Sequence, residues 1–173
     1  MRQSSYQIAF ILLVIAQILI CNYLNLTQYI MLSILPVLIL CLPVRVSTLT
    51  AMVIAFASGI CVDLLSDGLV GLNCLALVPV AFCRKAIISL VFGSEVFARK
   101  ENIATKKHGI GKMAFGIVLV QSLFLIIYIW ADGAATRPFW FNLVRFLLSL
   151  IVSSALSLYI AGELTEDRLE KWN

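Results

Sequence analysis

The sequence is short of the groups on which most protein chemistry depends. Its 173 residues hold one histidine, His108, and only 9 acidic side chains. Five cysteines occur, Cys21, Cys41, Cys61, Cys74 and Cys83, but no two form a CxxC pair. That excludes the usual zinc, haem and iron–sulfur ligand sets, and the cysteines read as small apolar fillers of an interior. There is no GxxxxGK[ST] phosphate loop, no HExxH, and no pair of carboxylates within one apolar run. Ser153, Ser154 and Ser157 have no base nearby in the sequence and read as small residues that let helices approach. The chain is therefore expected to be no enzyme, to carry no cofactor or metal and to bind no nucleic acid. It lacks repeats, low-complexity tracts and any stretch able to form a soluble domain.

What the sequence has in abundance is apolar surface. Hydrophobic residues make up 62% of the chain, against about 45–50% in a soluble domain. Charged residues make up 13%, about half the usual share, and the mean hydropathy is +1.03. A soluble globule of this size cannot hide that much apolar surface, so the composition predicts an integral membrane protein. A crossing helix needs about 20 mostly apolar residues. The apolar runs place spans near 8–23, 29–42, 47–65, 69–84, 113–130 and 139–161. They are continuous rather than alternating, which favours helices over barrel strands. The expected fold is thus an all-α membrane domain of about six transmembrane helices. The first run has no small-residue cleavage site and reads as a retained span.

Two of these runs are irregular. The second is short and carries Pro36, and Pro43 with Arg45 predicts a tight turn before the third. The fourth is followed at once by Arg84 and Lys85. Either it ends there with both cations reaching the surface, or it continues to Phe92 with two charges at depth. The first is preferred, which makes 86–98 an amphipathic surface helix with Ile87, Ile88, Leu90, Val91, Phe92 and Phe97 facing lipid.

Orientation follows from the 13 Lys and Arg residues. With six spans and both termini in the cytoplasm, Arg2, Arg45, Arg84, Lys85, Arg99, Lys100, Lys106, Lys107, Lys112, Arg168 and Lys171 all fall inside, as the positive-inside rule demands. Only Arg137 falls outside, and Arg145 lies within the last span. The basic loop 85–112 and the residue before it, through Arg84, Lys85, Arg99, Lys100, Lys106 and Lys107, are expected to attract anionic lipid or a cytoplasmic partner. The tail 162–173 reads as a short charged helix extension.

Two charges within spans call for partners. Asp63 and Arg145 come out roughly 3 Å and 9 Å below the outer surface by helix rise, and intramembrane charges usually pair. An Asp63–Arg145 contact is therefore expected. Around Asp63, Gly59 permits close helix packing, a turn at Ser66-Asp67-Gly68 follows, and Gly71 opens the next helix.

The pattern Gly59-x-x-x-Asp63-Leu64-Leu65, a short turn with Gly68, then Gly71-Leu72-Asn73-x-Leu75-Ala76 resembles the signature of the bacterial rod-shape-determining MreD family. Val78-Pro79-Val80-Ala81-Phe82-Cys83-Arg84-Lys85 continues a pattern similar to members from Bacteroidetes-like bacteria. The resemblance implies a multi-pass protein of the bacterial inner membrane with a fold like the substrate-binding subunits of energy-coupling-factor transporters. It implies a non-enzymatic scaffold of the cell-elongation complex. The implied partners are a bitopic MreC-type protein, a RodA-type glycosyltransferase, a class B penicillin-binding transpeptidase and MreB filaments. By position Gly59, Asp63, Gly68 and Gly71 match the family pattern and shape the outer hairpin. The rival reading is a small-molecule-binding subunit of an uptake transporter. That activity needs several convergent polar side chains, and the outer half offers few: Asn22, Asn25, Thr27, Asn73, Gln121, Asn142 and the two charges.

Overall fold

In the computed structural model, residues 2–23, 30–66, 70–98, 109–133 and 137–166 are described, with side chains for all of these except 2–7, 97, 98, 163, 165 and 166. Gly68, Arg99, Lys100, Lys106 and Lys107 lie outside the described residues, as do positions 167–173 of the expected tail. Every regular helix or strand assigned among the described residues is an α-helix: α1 Arg2–Tyr23, α2 Leu35–Leu40, α3 Thr48–Leu65, α4 Leu72–Phe92, α5 Glu95–Ala98, α6 Ile110–Asp132 and α7 Phe139–Glu166. Four of them, α3, α4, α6 and α7, are long and apolar enough to cross a membrane. In α1 the apolar part is the shorter stretch Ile8–Tyr23.

Local chemistry sets the ends. Ser47 caps α3, its hydroxyl accepting from the Thr50 N–H at 3.2 Å. Gly71 opens α4 at φ 100°, a left-handed conformation that a side chain resists. Sequential helices pack side by side, α3 on α4, α4 on α6 and α6 on α7. A methyl group on Gly59 would meet the Cys74 backbone at 2.9 Å, so α3 and α4 touch backbone to backbone there.

The inside is polar at many points and the outside apolar. Gln17, Ser33, Asp63, Asn73, Arg84, Gln121, Ser149, Ser153 and Ser157 are buried, while Ile11, Leu12, Leu49, Val53, Leu75, Phe82, Ile126, Trp140, Ile151 and Tyr159 are exposed. Polar groups set in an otherwise apolar interior, under an apolar exterior, suit a lipid environment.

Two expectations fail. The fourth run does not end at Arg84: α4 continues to Phe92, and Ile88 and Phe92 are buried rather than facing lipid. A separate surface helix over 86–98 is therefore absent, and only the short α5 follows Gly93. The second run is not a continuous helix. It has six helical residues, all buried, with Pro36 tolerated in the first turn because that N–H needs no intrahelical partner. Residues 30–34 before it are not helical.

Candidate functional site

The buried polar side chains converge on that non-helical stretch. From α1, the Gln17 amide accepts from the Ile34 N–H at 2.8 Å and donates to the Leu32 carbonyl at 3.0 Å. From α6, the Gln121 amide donates to the Ser33 carbonyl at 3.0 Å. From α7, the Ser149 hydroxyl accepts from the Met31 N–H at 2.9 Å. The Ser153 hydroxyl accepts from the Ser33 N–H at 3.2 Å and donates to the Met31 carbonyl at 3.0 Å. The backbone groups thus face α7 and α1 in alternation, as along a strand. Gln17 bonds residues 32 and 34 as the peptide of a neighbouring strand would. Side chains from three helices stand in for a sheet, and they give the backbone of Met31, Leu32, Ser33 and Ile34 partners inside the protein.

The C-terminal end of α2 is held in a related way. Arg84, only 2% exposed, donates through Nε to the Leu40 carbonyl at 3.4 Å and through one terminal nitrogen, Nη2, to the carbonyls of Leu42 and Pro43. A cation there also complements the negative end of the helix. Arg84 therefore does not reach the surface and is withdrawn from the lipid- or partner-docking set. Its flat, many-donor head suits several carbonyls at once. Lys85, the next residue along α4, is exposed.

Asp63 and Arg145 do not meet. Asp63 lies at the end of α3 and is 2% exposed. Its carboxylate accepts from the backbone N–H groups of Gly71 at 3.0 Å, Asn73 at 3.2 Å and Cys74 at 3.4 Å, and from the Asn73 amide at 2.8 Å. It caps the start of α4 from a neighbouring helix, where the unpaired donors and the positive dipole end favour an anion. Arg145 lies on α7, which packs against α6 rather than α3, and it pairs with Asp132 at the end of α6. The pairing expected from depth alone missed two facts. A helix N-terminus already satisfies Asp63, and Asp132 lies one helix nearer to Arg145.

Sequence reasoning also passed over Gln17, Ser149 and Asp132. Ser153 and Gln121 were noticed but read as spacing and as a stray polar group. One signal was available: Asn142, Arg145, Ser149, Ser153 and Ser157 recur at helical spacing along one face of α7. Among the described residues no group of three His, Cys, Asp or Glu could hold a metal. What the arrangement does chemically is hold backbone, with hydroxyls, amides and one guanidinium.

No protein-family model, no curated protein and no solved structure matches this chain.

Proposed function

We propose that the chain is a non-enzymatic membrane scaffold that binds partner proteins through its helix faces and its basic connecting segment. The supporting observation is how its buried polar groups are used. Gln17, Asp63, Arg84, Gln121, Ser149 and Ser153 each bond the backbone of another element. Such an interior builds a fixed platform rather than a reactive site.

In this reading the chain crosses the bilayer six times, by α1, by 30–42, and by α3, α4, α6 and α7. The second crossing is only partly helical: non-helical backbone over 30–34 precedes the six-residue α2, and extended residues rise further per residue than helical ones. The end bearing Arg45, Lys85 and Lys112 faces the cytoplasm with both termini. The other end carries exposed Tyr23, Trp130, Phe139 and Trp140, which suit an interfacial aromatic belt.

The motif from Gly59 to Lys85 supports placing this scaffold in the MreD family, in a bacterial inner membrane. Its partners would be an MreC-type protein, a RodA-type glycosyltransferase, a class B transpeptidase and MreB filaments, with anionic lipid at the basic segment. A fold like that of energy-coupling-factor substrate-binding subunits belongs to the same proposal. One observation favours the rival role of a small-molecule-binding subunit. Ser33 Oγ, Gln121 Oε1 and Ser157 Oγ are buried with no hydrogen-bond partner among the described residues. Depletion in the source bacterium separates the two. Cell rounding and dispersed wall insertion, unrescued by any vitamin supplement, support the scaffold. Normal shape with a growth defect cured by a nutrient overturns it in favour of uptake.

A further inference from the structure

The α6–α7 connection carries a cationic point that the scaffold reading does not use. Arg145 and Arg137 both address one oxygen of Asp132. Arg145 makes the direct contact, and Arg137 stands off at 4.0 Å, too far for a hydrogen bond. Among the described residues two guanidinium groups share this one carboxylate, so the formal charge of the cluster is +1. The Arg137 guanidinium lies over the Phe141 ring, 5.3 Å from its centroid, a cation–π contact that favours this placement. Its side chain is 38% exposed, so it is within reach of a group outside the protein. Around it Trp130, Phe139 and Trp140 are exposed, with Phe139 and Trp140 edge to face at 6.4 Å.

We propose that Arg137, over the Phe141 ring and beside the Asp132–Arg145 pair, binds the phosphate of an anionic phospholipid at this face of the membrane. The inference rests on reading the chain as a membrane protein, which puts the neighbouring tryptophans in the interfacial layer and Arg137 at the depth of headgroup phosphates. A guanidinium fork matches a phosphate with two parallel donors. The uncompensated charge selects a lipid of net negative charge over a zwitterionic one, whose own ammonium group already balances its phosphate.

The tryptophans give the readout. The protein, with Trp172→Phe to silence the tail, is reconstituted in phosphatidylcholine vesicles. These contain a minor fraction of chain-brominated phosphatidylglycerol or, in parallel, chain-brominated phosphatidylcholine, which quench Trp130 and Trp140. The expected result is a preference of about five-fold for the anionic lipid, the size due to one basic side chain at a membrane surface. Arg137→Ala and Arg137→Gln should both abolish it while the helical circular dichroism is unchanged. Equal quenching by the two lipids, or a preference that survives both substitutions, overturns the proposal. A preference erased by millimolar inorganic phosphate overturns the lipid as the source. If the membrane reading itself is wrong, the protein will fail to float with the vesicles, which is a separate observation.

Discussion

The α3–α4 hairpin and the 30–42 segment, the second crossing of the proposed topology, satisfy their backbones in different ways. In the hairpin, each helix closes its own hydrogen bonds, the two backbones touch at Gly59 and Cys74, and one side chain, Asp63, covers the end of α4. In the crossing, residues 31–34 close few bonds of their own. Gln17, Gln121, Ser149 and Ser153 supply partners from three separate helices, and Arg84 holds the far end from a fourth. The hairpin is a local structure that the sequence encodes in one stretch. The crossing exists only when the rest of the bundle is assembled around it. Its loss should therefore report on the whole bundle, whereas damage to the hairpin should start at one helix end.

The largest effect is expected at Arg84. Arg84→Met keeps much of the apolar stem but leaves the carbonyls of Leu40, Leu42 and Pro43 without their donor. Hydrogen bonds from a charged group are worth about 1.5–3 kcal/mol each, so a loss of about 3 kcal/mol or more is expected. Unfolding of detergent-solubilised protein by a denaturing detergent would measure it. A variant as stable as the parent would mean that α2 needs no outside support, and the contrast between crossing and hairpin would collapse.

Asp63 is the hairpin's counterpart. Asp63→Ala removes an acceptor shared by three backbone N–H groups and the Asn73 amide, for an expected cost of about 2–3 kcal/mol. The same substitution sharpens the charge assignment. Asp63→Ala and Arg145→Gln should be additive within about 0.5 kcal/mol, because the two do not touch. Asp132→Asn and Arg145→Gln should couple, with a double mutant milder than the sum. Coupling in the first cycle and none in the second would restore the pairing that depth alone suggested.

These contrasts show how far the sequence can be read. Long apolar runs and the helix start at Gly71 are local, so the long helices α3, α4, α6 and α7 were visible from the residues. Arg84 was not, because whether a cation at that position reaches water depends on which element lies against it. The chain could satisfy the same apolar pattern with a break at Lys85 or with a continuous α4. The choice is made by the α2 carbonyls, more than 40 positions away in sequence. Asp63 was singled out correctly as a residue needing a partner, but a helix N-terminus leaves no mark in a list of charges. Gln17 and Ser149 were passed over for the same reason. A polar residue in an apolar helix announces a partner without naming it.

A smaller effect is expected for Gln17→Leu, which strips the Leu32 carbonyl and the Ile34 N–H of their partners at once. Hydrogen bonds within membrane proteins average about 0.6 kcal/mol and reach about 1.7, so two of them to buried backbone should cost about 1–2 kcal/mol. Gln17→Glu separates shape from chemistry. It keeps the acceptor for Ile34 but loses the donor to Leu32, and it should be at least as damaging as leucine. Near-parental stability of both variants would show that the 31–34 backbone finds its bonds elsewhere.

The smallest effect carries the finest test, because Ser153 and Ser154 are neighbours on one helix. Ser153 is buried and bonds across to Met31 and Ser33. The Ser154 hydroxyl turns back to the Ile151 carbonyl of its own helix at 3.0 Å, a bond that leaves no distant group unpaired when removed. Helix propensity changes equally in Ser153→Ala and Ser154→Ala, and that shared term cancels in the comparison. Ser153→Ala should then be the less stable of the two by about 0.6–1 kcal/mol. Its effect should shrink when Gln17 is already leucine, since the crossing is by then partly released. Equal stabilities would reduce the α7 serines to what their size alone suggests, residues that let helices come close. A clear difference would make Ser153 a strut of the crossing, identified by where its hydroxyl points rather than by its place in the sequence.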